Sequence, residues 1–352
     1  MSAEKGESTT DITSNSDWMS KLPSKCQNKD LFHLAIPGSH DSMSYDLDIK
    51  SSIIEPDVLK RFSKICCARK IVRRWATTQE EPIAKQLDAG VRYFDLRVAR
   101  KPHDTNPTRL YFYHGLFTRT DVEVKMYIKL TETWIAHPKE ILILALSHFK
   151  GFDDTNKSHL HDHLIKFIKN LFGDKLFPST EIPTLKSCWD KGRNVIVSYD
   201  YQAAHHPQLW SKITYYYGNS MKPAEVESKL IQDLAHAWPS KKQSHFKKVY
   251  FFVCGLNLTL PENASILKYI LRLYGNLPSV IRRSLPSMVQ WLKEQALKTH
   301  VNIVASDLTC VSLAKRNKHA RRYLSKDSHG MLDIGVMFVV AVATDVILPR
   351  EE

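Results

Sequence analysis

Short apolar runs recur along this chain, and most of them close on polar or titratable residues. The first, 31–36, reads as a buried strand that breaks at Pro37-Gly38 and delivers Ser39, His40, Asp41 and Ser42 onto a loop. Residues 91–98 alternate and are rich in β-formers, with Asp95 and Arg97 near the end. The run 110–117 is the next strand and ends at His114-Gly115. The fully apolar run 141–146 ends at Ser147-His148, and 194–200 ends in Tyr199 and Asp200. Shorter or plainer strands are expected at 213–219 and 249–257, and the last clear one, 301–307, ends at Asp307.

Between these runs the spacing turns helical. Residues 51–75 are apolar at Ile53, Val58, Leu59, Phe62, Ile65, Ile71, Val72 and Trp75 with Lys and Arg between, which suits a basic outer helix or a face laid on a membrane. Residues 77–90 read as a short helix capped by Thr77 or Thr78 and ended by Gly90. Helices are also expected at 121–137, at 158–172 with Gly173 as the stop, from Pro223 onward, and near 262–274 and 286–299. Roughly eight strands alternating with helical segments is the order of a TIM-type (β/α)₈ barrel, an α/β fold. A doubly wound sheet is the runner-up, but no glycine-rich phosphate loop follows the first strand.

The two ends differ from the middle. Residues 1–16 are polar and predict a disordered tail, so one domain spans 17–313. Beyond it, 314–326 is strongly basic. Residues 331–348 are apolar but broken by Asp333 and Asp345, leaving less than the roughly 18 apolar residues that a membrane span needs. The tail 314–352 is therefore expected to be irregular, without a transmembrane helix. A net charge of +13 points to an anionic partner, and an acidic lipid surface fits better than nucleic acid, for which no zinc-finger or RNA-binding motif is present. Six scattered cysteines without a C-x-x-C pair, and no apolar leader, suit a reducing compartment, so a cytoplasmic protein with peripheral membrane contact is expected.

Strand ends converge on one face of a barrel. That face would carry His40, Asp41, Asp95, Arg97, His114 and Asp307. Two histidines, an arginine and carboxylates around one mouth suit phosphodiester cleavage. One imidazole takes a proton, the other gives one, and the guanidinium stabilises charge on the phosphoryl oxygens. The first and last strands of a closed barrel are neighbours, so Asp307 can reach His40, while Asp41 can pair with Arg97.

Several motifs carry a resemblance: DWMSKLP at 17–23, LAIPGSHDSMSYD at 34–46, QLDAGVRYFDLRVA at 86–99, LYFYHGLF at 110–117, HPKEILIL at 137–144 and VNIVASDL at 301–308. Across roughly 17–308 the chain resembles the phosphatidylinositol-specific phospholipase C X-domain proteins, specifically the small eukaryotic group made of little more than an X domain. The resemblance implies a distorted or incompletely closed barrel. It implies His40 as general base on the inositol 2-hydroxyl, His114 as general acid, Arg97 beside Asp41 at the phosphate, and Asp307 supporting the base. Tyr199, Asp200 and Asp95 are the candidates for contact with the inositol ring. The large signalling members hold calcium through acids, but here Arg97 and Ser147 stand at two such places. The expectation is therefore no metal cofactor and calcium independence. A non-catalytic inositide-binding scaffold is the alternative function, and a metal-dependent glycerophosphodiesterase is a third.

Overall fold

The computed structural model describes residues 15–126, 137–201, 206–237, 250–261 and 275–309. Most of the expected N-terminal tail, the rest of the 121–137 helix, the 262–274 helix and the whole 314–352 tail lie outside them. Nine strands form one sheet: β1 Ile36–Ser39, β2 Tyr93–Ala99, β3 Tyr111–His114, β4 Leu116–Asp121, β5 Leu142–Lys150, β6 Val195–Tyr199, β7 Thr214–Tyr217, β8 Phe252–Leu256 and β9 Ile303–Ser306. The parallel strands run in the order β6-β5-β2-β1-β9-β8-β7. No ladder joins β6 to β7 among the described residues. The segment around Trp210 lies along β6 there, its N–H donating to Val197 O at 2.8 Å. The architecture is an α/β half-barrel, open and curled.

Two expectations about the strands need correction. Residues 31–33 are a 3₁₀ turn, not strand, and the strand is Ile36–Ser39 with Pro37-Gly38 inside it. Asn302 holds that turn by donating from Nδ2 to Leu31 O and Leu34 O. Residues 110–117 are not one strand but a hairpin, β3-β4, antiparallel to the far end of β2. Gly115 makes the reversal at φ +69°, and a Cβ there would lie 2.9 Å from Ala76 Cβ.

Period-two alternation sorts the strand residues into two layers. Tyr93, Ile143, Ala145, Ile196, Val253, Ile303 and Ala305 fill the barrel interior. Phe94, Leu144, Val195, Val197 and Tyr199 point outward against helix α3, Lys157–Phe172. That helix buries Leu160, Leu164, Ile168 and Phe172 at i, i+4 spacing, and Gly173 at φ 48° ends it. Helix α4, Leu185–Lys191, has a capping box between Thr184 and Ser187 and a left-handed Gly192 at its end. On the other side, α5 Pro223–Ala237 and α6 Leu277–Ala296 pack on β8 and β9. The α6 helix starts nine residues before the expected 286, because the Asn276 side chain caps it by accepting the Ser279 N–H at 2.8 Å. The chain then runs helically through Pro286.

Of the helices that precede β2, the last two flank the site. Helix α1, Cys66–Ala76, buries Val72, Trp75 and Ala76 against the protein, so its apolar face is not free for a membrane. Helix α2, Ile83–Asp88, begins after Pro82, later than expected. Thr78 is not its cap: Thr78 and Gln79 instead reach the loop after β1. Just before β2 and β5, Arg92 and Glu140 form an ion pair with each side chain 1% exposed. Glu140 also accepts the N–H groups of Met19 and Ser20, and Arg92 donates to Ser16 O and Leu87 O, so one pair pins the N-terminal segment under the sheet. Glu140→Gln is expected to lower stability by about 3–5 kcal/mol, because it leaves a buried guanidinium without its counter-charge. The shift of the urea midpoint measures it.

Candidate active site

Six residues from four strand ends meet in one cleft. His40 and Asp41 follow β1, Asp95 and Arg97 lie on β2, His114 ends β3 and Asp307 follows β9. Parity explains the convergence: His40 continues the inward face of Ile36 and Gly38, and Asp307 that of Ile303 and Ala305. The β1–β9 pairing, with Ser39 opposite Ser306, then sets His40 beside Asp307. His40 Nδ1 lies 2.7 Å from Asp307 Oδ1. The backbone just after β1 turns sharply, with Asp41 at φ 44°, a left-handed conformation that Asp tolerates better than most residues. That turn points the Asp41 carboxylate back under His40.

Asp41 is the hub. Its Oδ1 is 2.7 Å from Arg97 Nε, and its Oδ2 is 3.1 Å from His40 Nε2 and 3.2 Å from His114 Nε2. Arg97 Nη2 reaches within 3.8 Å of Asp95 Oδ2 and 3.2 Å of His40 Nε2. The two imidazoles stand edge to face, centroids 6.1 Å apart. His114 Nδ1 donates to Ala76 O at 2.6 Å, so its Nε2 is the nitrogen turned to the cleft.

Electrostatics follow from burial and neighbours. Burial alone would lower His40, but the Asp41 and Asp307 carboxylates outweigh it and raise its pKa to about 9. Burial would raise Asp41, yet Arg97, His114 and His40 hold it at about 2. Burial raises Asp307 above the usual carboxylate value, opposed by His40. The two carboxylates thus favour the protonated form of His40.

The cleft, about 790 Å³, is lined by further groups that the strand-end pattern does not single out as site residues. The Tyr215 ring lies 5.9 Å from that of His40, and its hydroxyl donates to Asn257 Oδ1 at 3.2 Å. Gly255 makes room for it, since a Cβ there would stand 2.5 Å from Tyr215 Cε1. Glu55 accepts the Gly115 N–H at 3.3 Å and pairs with Lys150 at 2.6 Å. Behind the site, Gln79 Nε2 donates to both His40 O and Ser306 O, tying the two loops that carry His40 and Asp307.

Of the ring-contact candidates, Asp95 and Asp200 line the cleft, and Asp200 is paired to Lys212 at 2.7 Å. Tyr199 does not. It is 4% exposed on the outer face of β6 with its hydroxyl 2.9 Å from His161 Nδ1. Neighbouring strand residues face opposite sides, so Tyr199 and Asp200 could not both point inward. That parity is present in the sequence. The placement of Tyr215, Asn257 and Glu55 is not, because only the sheet register and the fold of the 51–56 loop bring them there. Among the described residues, His40, Asp41 and Asp95 place one ligand atom each within 4.8 Å of one another, but the Arg97 guanidinium is in contact with both acids.

Relatives share this arrangement's fold and sequence. Residues 70–198 match the family described as phosphatidylinositol-specific phospholipase C, X domain. The chain is 36% identical over 303 residues to PI-PLC X domain-containing protein 1 of Homo sapiens, covering 83% of this chain and 88% of that one. It is 36% identical over 301 residues to the Danio rerio protein of the same name, covering 83% and 91%. Among solved structures, a Staphylococcus aureus phosphatidylinositol-specific phospholipase C superposes with a TM-score of 0.59 at 17% identity, over 93% of this chain and 97% of that one. The enzyme of the same name from Listeria monocytogenes gives 0.52 at 20% identity, over 84% and 94%. The family match and the sequence identity agree with the fold, and the chain belongs to the phosphatidylinositol-specific phospholipase C X-domain family.

Proposed function

We propose that this protein is a phospholipase C that cleaves an inositol phospholipid to diacylglycerol and a cyclic inositol phosphate, without a metal. The observation that carries the reading is the placement of two imidazoles about a shared carboxylate whose other oxygen meets a guanidinium. His40 takes the proton of the attacking inositol hydroxyl, and Asp307 holds its Nδ1–H. His114 delivers a proton from Nε2 to the diacylglycerol oxygen. Arg97 stabilises charge on the phosphoryl oxygens. Water can open the cyclic product with the two histidines exchanging duties. Arg97 supports the metal-free route. A fixed cation between Asp41 and Asp95 occupies the position in which a hard divalent ion would need oxygen ligands.

Substrate reaches the cleft from a bilayer. No described helix is long and apolar enough to cross a membrane. The basic residues Arg69, Lys70, Arg73 and Arg74 sit on α1, whose buried Val72, Trp75 and Ala76 line the cleft, and the exposed Ile65 precedes it. Such a rim suits peripheral contact with an anionic surface of the cytoplasmic kind.

The test is release of water-soluble inositol phosphate from phosphatidylinositol vesicles, with and without chelator. Release is expected to survive the chelator, and loss with the chelator would sink the metal-free mechanism. The pH profile carries a sign. His40 must lose its proton to act as base while His114 keeps one to act as acid, so kcat/KM is expected to follow a bell in pH, with the raised His40 setting the base limb. Asp307→Asn removes one of the charges that raise His40, so its limb is expected at lower pH with a lower plateau. The protonated His40 at rest also fits a protein that binds a phosphodiester without turning it over. Absence of release across the whole profile favours that reading.

A further inference from the structure

We propose that Gln79 is a positioning residue for the base: it fastens the loop after β1 to the loop after β9 and so keeps His40 within hydrogen-bond reach of Asp307, a role that rests on the phospholipase reading above. Both residues lie just past the strands that carry them, since β1 ends at Ser39 and β9 at Ser306. The His40 N–H still donates to Ser306 O, at 3.2 Å. Beyond that bond, no backbone hydrogen bond joins the two loops among the described residues. Each loop also turns left-handed at a residue other than glycine, Asp41 at φ 44° and Leu308 at φ 51°. Such a backbone relaxes unless its surroundings hold it.

The segment Thr78-Gln79, between α1 and α2, supplies the hold. Thr78 O accepts the Leu308 N–H at 2.7 Å, and Thr78 Oγ1 lies 3.1 Å from His40 O and 3.3 Å from Asp41 O. Gln79 is 1% exposed and spends its whole amide on the two loops. Its Nε2 donates to His40 O at 3.0 Å and to Ser306 O at 2.9 Å. Its Oε1 accepts the N–H and the hydroxyl of Thr309, at 3.1 and 3.0 Å. A primary amide has two N–H donors and two acceptor sites, and all are taken. These partners also fix which way the amide faces, because a flipped one would set its oxygen against two carbonyls. The amide therefore ties the peptide that carries His40 to the residues on either side of Asp307. The β1–β9 pairing brings the two loops side by side, and Gln79 sets the spacing at their ends.

The experiment uses the full chain and phosphatidylinositol vesicles. Gln79→Met keeps the length of the side chain and removes its hydrogen bonds. His40 faces Asp41 on its own loop, Asp95 and Arg97 from β2, His114 from β3, the Tyr215 ring from β7 and Asp307. Of these, Asp307 alone comes from the loop that Gln79 ties to it. The variant is therefore expected to lower kcat by roughly tenfold or more at unchanged KM, since a base displaced by about 1 Å loses rate rather than binding. The base limb is expected at lower pH, because the Asp307 carboxylate that raises His40 has drawn away. A lower melting temperature with kcat and the limb unchanged, both read well below that temperature, overturns the role. Combining Gln79→Met with Asp307→Asn is expected to cost little more than Asp307→Asn alone, and losses that multiply overturn the route through Asp307. Should Gln79→Met not fold, Thr309→Val takes only the hydroxyl from Oε1. It is expected to lower kcat severalfold with the same shift of the limb, and an unchanged kcat overturns the role. A second arm needs no turnover: the carbon resonances of the histidine rings, with that of His40 assigned by His40→Asn. The His40 titration is expected at lower pH in either variant than in the wild-type chain. No release from the wild-type chain on any lipid overturns the phospholipase reading, and the titration then decides the positioning: a shift supports it and an unchanged titration overturns it.

Discussion

Replacing His114 with alanine is expected to reduce inositol phosphate release by roughly 10²–10⁴-fold while the thermal midpoint moves little. His114 is partly exposed, and its Nδ1 is held by a single carbonyl, Ala76 O. Its removal takes away the proton donor without stranding a buried charge other than Asp41, which keeps Arg97 and His40. His40→Asn is expected to lose a similar factor, since the amide cannot accept a proton from the attacking hydroxyl. The informative result is the double variant. If the imidazoles act on the same proton-transfer sequence, the pair together should be little worse than either alone, because neither works without the other. Losses that multiply would mean that the two act independently, and would remove the acid–base pairing from the mechanism. Unchanged release in His114→Ala would do the same.

The second large effect is expected in stability. Asp41→Asn should lower the unfolding free energy by about 3–5 kcal/mol, because His40, His114 and Arg97 would be left facing one another without their shared carboxylate. The pH dependence separates this from a general packing defect. Asp41 is held at about 2 in the fold against 3.8 ordinarily. A group with a depressed folded pKa contributes stability that is present above its unfolded value and is lost as pH falls through the folded one. Part of the wild-type acid unfolding, between about 4 and 2, should therefore be missing in Asp41→Asn. Urea midpoints across that range measure it, and parallel wild-type and variant curves would mean that Asp41 is not the hub described.

Much of this site is legible in the order of residues. The motif around His40-Asp41, the Asp95–Arg97 spacing, His114 before a glycine and Asp307 after the last strand are local patterns, and period-two alternation puts His40, Asp95, Arg97 and Asp307 on inward faces. The strand count and helix stops at Gly173 and Gly90 are local as well, since capping and glycine conformations depend on a few neighbouring residues. The departures share one cause, which is contact between distant or reversing segments. Residues 31–36 look like a strand by composition, but Asn302, some 270 positions away, bonds Leu31 O and Leu34 O and holds the first part as a turn. The run 110–117 has the apolar content of one strand, yet Gly115 reverses it into a hairpin.

What the amino-acid order determined by itself was the set of chemical groups, the face of the strand on which most of them lie and the alternation that makes a barrel. Those depend on short-range sterics and hydrophobic periodicity, which act within a few residues. The tertiary structure decided which distant groups share a charge. Asp41 joins Arg97 and two histidines only because β1 lies between β2 and β9 and because the backbone at Asp41 turns left-handed. It also decided that the cleft's lysines face acids from other elements, Lys150 with Glu55 and Lys212 with Asp200. Coulomb interactions fall off over several ångströms of space rather than along the chain, so neither the proton on His40 nor the charge of the cleft can be read from sequence spacing.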